Sequence, residues 1–434
     1  MTITERNGVG SPAGPRRRER FGFVAAVVSL VGVFVASGAP IPLYERYRSA
    51  GGLSTADLSL AAVSYFIAVM STLIVLGRIS DHLGRRPVGL AAVILAAAGC
   101  LTLLDVTGLP VLVAGRVLHG VACGLGSSAI AAYAVDLAPR KPTWLAAAAP
   151  AGAPLVGLTI GAVGSGALAE HAPAPALTPH LTATVLLTVC AALLLASPDP
   201  VTWRPGVLTS LRPKVLVPAS IRPLLPAAVA VFCGTWALGG FYQAFSPTIA
   251  AHDLGTSDAL VAGIVFASFM APYALGGPLT GRLAPLTAQR TGIVVFALAV
   301  AGIVAGLYTG TIALVIACGV VAATGQGAAF TGTLHALLAR VEPTERAGLM
   351  STVYLVSYGG AALPSLIAGR LAGAGLELSE IAIGYAGLAT LAAVIVLTRP
   401  RLLGTSDQPW RLPRQVAGGG TGPSGELPVR RGSR

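Results

Sequence analysis

Apolar runs of membrane length, separated by short polar turns, restrict this chain more than any other feature. One pair sets the pattern. Leu58–Leu76 and Val88–Val106 are each nearly free of charge and long enough to cross a hydrocarbon core, which takes about 20 helical residues. Between them lies Gly77-Arg78-Ile79-Ser80-Asp81-His82-Leu83-Gly84-Arg85-Arg86-Pro87. In hydrocarbon the backbone must satisfy its own hydrogen bonds, so the runs form regular structure and the charged turn between them faces water. Its three arginines assign that water to the cytoplasm, where loops collect Lys and Arg.

Composition extends the pattern to the whole chain. Of 434 residues, 54% are hydrophobic and 11% charged, against roughly a quarter charged in a soluble domain. The chain reads as a polytopic membrane protein, with room for twelve spans of about 20 residues. A net charge of +12 raises nucleic-acid binding as a function. The distribution excludes it, because the basic residues sit in loops and tails rather than on a face interleaved with aromatics. Cys100, Cys123, Cys190, Cys233 and Cys318 fall inside apolar runs without metal-ligand spacing. They read as small packing residues, and no metal or cofactor is expected. Met1–Arg20 is polar, and the run after it is too long for a signal-peptide core.

In order, 1–20 is expected to be a disordered cytoplasmic tail and 21–197 a six-helix bundle. Residues 198–223, with Arg204, Arg212, Lys214 and Arg222, form a cytoplasmic linker. Residues 224–398 form a second six-helix bundle, and 399–434 a disordered cytoplasmic tail rich in Gly, Pro and Arg. The first helix is predicted from Phe21 to Tyr44, ending in Pro40-Ile41-Pro42, with a loop over Glu45–Asp57. In this topology only Arg46 and Arg48 lie in loops on the outside, which places both termini in the cytoplasm. A faint repeat is visible. Gly277 and Leu283 stand two hundred residues after Gly77 and Leu83, but Asp81 is answered by Gly281.

The pattern G-x-x-x-D-x-x-G-R-R, carried by Gly77, Asp81, Gly84, Arg85 and Arg86, resembles the signature loop between helices 2 and 3 of the major facilitator superfamily. The resemblance implies an all-α integral membrane protein with 12 transmembrane helices in two six-helix bundles. It also implies a cytoplasmic latch in which Asp136, at the inner end of helix 4, joins Asp81 and Arg85. Leu112-Val113-Ala114-Gly115-Arg116-Val117-Leu118-His119-Gly120 resembles the family's helix 4 motif. Arg116 and Gly120 match it, and His119 replaces a Gln. In helix 5, Pro154 and Gly157 match part of a motif of the drug:proton antiporters, which favours export.

Read as residues, Arg116 is costly inside a span and faces a cavity or partner, or else snorkels to the interface. His119 shares its helix face. It serves either proton sensing or a hydrogen-bonded core. None of the 17 acids falls mid-span, so proton coupling rests on the resemblance. The candidates for a substrate cavity are Tyr65, Trp236, Tyr242, Gln243, Tyr273, Gln326, Tyr354 and Tyr358, a set suited to amphipathic compounds. The chain has no nucleophile elbow, H-E-x-x-H or P-loop, so no enzymatic activity is expected.

The function expected is a monomeric secondary active transporter of the inner membrane, expelling small amphipathic compounds with proton coupling by alternating access. Its partners would be a small-molecule substrate, a proton or other coupling ion, and the bilayer. Two alternatives remain open at this point: a symporter taking up a sugar or organic acid, and a transport-dead sensor or scaffold.

Overall fold

The computed structural model describes residues 13–142, 144–213 and 215–398. The first twelve residues and 399–434, both assigned above to disordered tails, lie outside the described residues. Among the described residues, twelve helices are long and apolar enough to cross a membrane. They are α1 Arg17–Gly51, α2 Thr55–Leu76, α3 Arg85–Thr102, α4 Leu109–Asp136, α5 Leu145–His171 and α6 Thr178–Ala196. After the linker come α7 Ala219–Asp253, α8 Ala259–Thr280, α9 Pro285–Tyr308, α10 Ile312–Leu338, α11 Arg346–Gly373 and α12 Leu378–Thr398. No strand occurs among the described residues.

Several helix ends carry their own chemistry. Ser54 and Asp57 form a reciprocal capping box at the start of α2, with Asp57 N–H donating to Ser54 Oγ at 3.2 Å and Ser54 N–H to Asp57 Oδ2 at 2.8 Å. Asp258 caps α8 by accepting from Leu260 and Val261 N–H at 2.7 and 3.1 Å. Regular α-helix is interrupted inside several spans. α4 passes through a π-turn at Gly126–Ile130, α7 ends in another at Ile249–Asp253, and α8 is broken between Met270 and Tyr273, where Pro272 removes a donor.

Three expected boundaries are corrected. Helix begins at Ala13 rather than after residue 20. A proline in a first turn is tolerated, and nothing between it and the apolar run breaks a helix. Pro40 and Pro42 do not end α1. The chain makes one 3₁₀ turn over Ile41–Leu43 and resumes as helix over Tyr44–Gly51, closed by Gly52 at φ 62°. The prolines fall at the start of the new segment, where their missing N–H groups cost nothing. Most of the loop predicted over Glu45–Asp57 is therefore helix. The linker also gives up its last residues, because Ala219–Leu224 is already helical.

Each half has its own core. Leu30, Val33, Val69, Ala92, Ala122 and Leu187 centre the first; Phe241, Phe245, Phe266, Phe296 and Val300 centre the second. The halves meet mainly where α2 packs on α11 and α5 on α8. Glycine permits the close approach. A Cβ on Gly263 of α8 would lie 2.6 Å from the Ala162 carbonyl oxygen of α5, and one on Gly369 of α11 would strike the Ser59 side chain of α2.

Polar contacts join the halves at the end remote from the Gly77–Pro87 turn. Ser59 Oγ donates to the Ser365 carbonyl at 2.6 Å, and Ala259 N–H donates to Glu170 Oε1 at 2.8 Å. Arg46 also holds Glu170, at 3.2 Å, and Arg48 Nη2 lies 3.4 Å from His252 Nε2. At the turn end the linker bonds to the second half: Leu216 N–H donates to the Gly348 carbonyl at 3.3 Å, and Thr352 Oγ1 to the Leu216 carbonyl at 2.8 Å. Gly369→Val is therefore expected to wedge the remote seam apart. A cysteine placed at Ala56 should react several-fold faster with an impermeant maleimide in that background, and unchanged reactivity would contradict this assignment of the seam.

Candidate functional site

The charged turn is built by position. α2 ends at Gly77, Ser80–Leu83 forms one helical turn, and Gly84 adopts φ 99°, a conformation that favours glycine. Arg85 then opens α3. Its guanidinium donates to Asp81 Oδ1 at 2.5 Å, Asp136 Oδ2 at 2.9 Å and Ser80 Oγ at 2.8 Å. One arginine thus ties the turn to the end of α4 through two charge-assisted bonds.

A fourth member, Asp199, was missed by sequence reasoning. It follows α6, and its two carboxylate oxygens accept the N–H groups of Arg85 and Arg86 at 3.2 Å each. The carboxylate caps the positive end of α3 from a distant part of the chain. A Cβ at position 84 would lie 2.7 Å from Asp199 Oδ2, a second reason for glycine there. Arg86 reaches the Leu195 and Ser197 carbonyls at 3.4 and 3.3 Å, satisfying the last turn of α6. Ser-Pro-Asp-Pro after an apolar run is a usable capping signal, but nothing local names the helix it caps.

Deeper in the first half, Arg116 of α4 is wholly buried, so it does not snorkel. Nη1 donates to the Ser37 carbonyl at 2.8 Å, and the guanidinium carbon lies 4.4 Å above the centre of the Tyr65 ring. Arg116 Nε and Nη2, Ser37 Oγ and Tyr44 Oη are buried without a hydrogen-bond partner. His119 is buried as well, with Nε2 3.6 Å from Cys100 Sγ and Nδ1 unpartnered. On α6, His180 Nε2 lies 2.5 Å from Tyr47 Oη. Tyr44 and Tyr47 were missed because the prolines before them read as a helix end. Gly120 brings α4 onto α2, where a Cβ would lie 2.6 Å from the Tyr65 carbonyl. Gly157 does the same for α5 on α1, against the Val31 carbonyl. Pro154 lies one turn earlier, inside α5.

A row of aromatic rings crosses the seam. Phe66 of α2 is 6.3 Å from Tyr358 of α11, which meets Trp236 of α7 edge-on at 5.0 Å. Trp236 is 6.3 Å from Phe330 of α10, which is 6.0 Å from Tyr273 of α8. Tyr354 joins beside Tyr358 at 6.4 Å. Of the predicted cavity residues, Trp236, Tyr273, Tyr354 and Tyr358 come together here. All four are half-buried, and Trp236 Nε1 has no partner. Tyr65 turns instead to Arg116, and its neighbour Phe66 takes the place in the row. Tyr242 is 1% exposed and stacks on Phe269 at 5.0 Å inside the second core. Gln243 and Gln326 are buried on α7 and α10.

The profile of the family described as Major Facilitator Superfamily matches residues 21–257 and 227–420. The chain belongs to this superfamily. A crystal structure of a mutant of the nucleoside transporter NupG shares the fold, with a TM-score of 0.66 over 86% of this chain and 98% of that one, at 15% identity. No curated protein matches the sequence.

The two halves of this superfamily member treat the turn differently. Arg85 joins acids of its own half, and the turn reaches the linker through Arg78, which donates to the Ser210 and Arg212 carbonyls at 3.0 and 2.9 Å. In the second half Gly281 supplies no acid. A cavity of about 240 Å³ lies there among α8, α9 and α10, bordered by Thr280, Thr331, His335 and Arg340. Asp199→Ala should cost about 0.5–2 kcal/mol, the worth of a helix cap. This would be read as a lower unfolding temperature in detergent, and an unchanged temperature would remove Asp199 from the assembly. Asp81→Asn should lower transport without reducing membrane insertion, checked by flux against protein-normalised vesicles.

Proposed function

We propose that the protein is a proton-coupled secondary transporter that expels small amphipathic compounds across the cell membrane by alternating access. Both termini and the Gly77–Pro87 turn would face the cytoplasm, as the placement of Lys and Arg favours. The observation that carries this reading is the aromatic row between the halves. Rings from α2, α7, α8, α10 and α11 converge where the two bundles meet, the position at which a rocking transporter exposes its site to each side in turn. Ring faces and half-buried edges suit a compound with an apolar body and a polar group.

The contacts fit a cycle. With Ser59–Ser365, Ala259–Glu170 and Arg48–His252 closed, the outer seam is shut and the row is approached from the cytoplasm. Opening that seam releases the compound outward, while the Asp81–Arg85–Asp136 assembly keeps the inner end of the first bundle rigid. The partial helix 5 match at Pro154 and Gly157 supports export. His119, one turn along α4 from Arg116, is the group proposed to couple a proton. The transporter would act as a monomer and catalyse no covalent reaction.

The test is proton leak from acidified inverted vesicles, followed with a pH-sensitive dye during addition of a panel of amphipathic compounds. Compound-dependent loss of the gradient is expected. Trp236→Ala should raise the apparent KM about tenfold, equivalent to roughly 1.4 kcal/mol, and His119→Gln should flatten the pH dependence of flux near neutrality. Accumulation of the same compounds in right-side-out vesicles, with no leak in inverted ones, would overturn export in favour of uptake.

A further inference from the structure

The first half holds a cation for which no ion pair is found among the described residues. Arg116 is 0% exposed, and the acids at the helix ends of the first half are engaged elsewhere or lie at the surface. Glu45 is held by Arg48, Asp57 by Ser54, and Asp136 by Arg85; Asp105 is exposed. A buried charge without a partner is strongly unfavourable, and a single carbonyl contact with one aromatic face does not neutralise it.

The groups beside it are also unsatisfied. Arg116 Nε and Nη2 make no hydrogen bond of 3.5 Å or less, nor do the buried hydroxyls Ser37 Oγ and Tyr44 Oη, although Tyr44 lies close to the guanidinium. Water would answer the hydrogen bonds but not the charge. A group that accepts several hydrogen bonds and carries a negative charge answers both. A carboxylate matches the fork of an arginine in this way.

The position of this cluster adds a direction. From the guanidinium, Tyr65 is at 4.4 Å, Phe66 follows at 5.5 Å from Tyr65, and Tyr358 at 6.3 Å from Phe66. The unpaired cation therefore stands at one end of the aromatic row. We infer that Arg116, with Ser37 and Tyr44, binds the carboxylate of the transported compound, and that the compound is an amphipathic organic anion rather than a lipophilic cation. A cation in the row would meet a positive charge at close range in a medium of low dielectric, with no mid-span carboxylate to offset it. The Tyr65 ring lies between the guanidinium and the row, so its side chain turns aside when the carboxylate enters. This inference rests on the transport reading above and names the substrate class of that site.

The test uses the purified full-length chain in detergent and three probes with one aromatic body: 2-naphthylacetate, its primary amide, and 2-naphthylethylamine. Affinity is measured by calorimetry, with chloride titrated separately as the free-anion probe. The carboxylate should bind roughly tenfold to hundredfold more tightly than the amide, the effect expected of a charged hydrogen-bonded pair, and the amine should not bind. Arg116→Gln should bring the carboxylate down to the affinity of the amide while leaving the amide unchanged. Tyr44→Phe, which removes only a hydroxyl, should weaken the carboxylate several-fold and spare the amide, so the claim stays testable if Arg116→Gln fails to fold. Equal binding of carboxylate and amide, or tighter binding of the amine, would overturn the inference. Chloride binding that depends on Arg116 and does not compete with the carboxylate would overturn it too, assigning the site to a free inorganic anion. Arg116-dependent carboxylate binding without flux of any compound would refute the transport reading alone. Flux of neutral or cationic compounds with no carboxylate preference would refute the substrate class alone.

Discussion

Hydrocarbon gives no hydrogen bonds, and most of this structure follows from that. Each backbone group within a span must find its partner in the same chain, so the spans are helices and the charges move to their ends. There they work as structure. Arg85 gathers Asp81 and Asp136, Arg86 closes the carbonyls of α6, and Asp199 closes the N–H groups of α3. Because the interior is so uniform, the one fully buried Arg, Lys, Asp or Glu among the described residues stands out. Arg116 keeps a cost that the rest of the chain avoids, and such a cost persists where function requires it.

Between the halves the attraction is of another kind. Lipid tails are as apolar as the helices, so burial alone does not hold two bundles together in a membrane. Contact depends on small residues that let backbones approach, such as Gly263 of α8 against α5 and Gly369 of α11 against α2, and on a few hydrogen bonds at the remote end. A seam of this sort has close packing but no large hydrophobic driving force. Opening it costs little burial, as the proposed cycle requires. The aromatic row starts at Phe66 in the first core and crosses that seam to rings packed against the second.

How much of this was legible depended on distance along the chain. The turn was legible because Gly77, Asp81, Gly84, Arg85 and Arg86 lie within ten positions and their chemistry is local; Asp136 came from the family resemblance. Asp199 was not legible, since a capping residue announces itself but not a helix more than a hundred positions away. The extent of α1 was misread because the rule that prolines end helices is also local, and it does not say whether a new helix begins at once. Trp236, Tyr273, Tyr354 and Tyr358 were chosen for residue type and span, and packing brought them together. Phe66 and Phe330 were passed over for lacking a polar atom, as was Phe232 of α7, whose ring lies 5.0 Å from that of Phe330. Yet Phe232 and Trp236 are spaced to share a helix face, as Tyr354 and Tyr358 are. Tyr242 looked equivalent to these and lies in a core, because residue type does not report which face of a helix meets the seam.

The linker carries a mechanical consequence. Its early part belongs to the first bundle, where Arg78 grips the carbonyls of Ser210 and Arg212. Its later part belongs to the second, where Leu216 is bound to Gly348 and Thr352. Arg212 and Leu216 are four positions apart in the chain. A fully extended chain covers at most about 3.5 Å per residue, so those two points can part by no more than roughly 14 Å while their bonds hold. What looks like a long flexible connection is a short leash, and it sets an upper limit on how far this end of the molecule can gape.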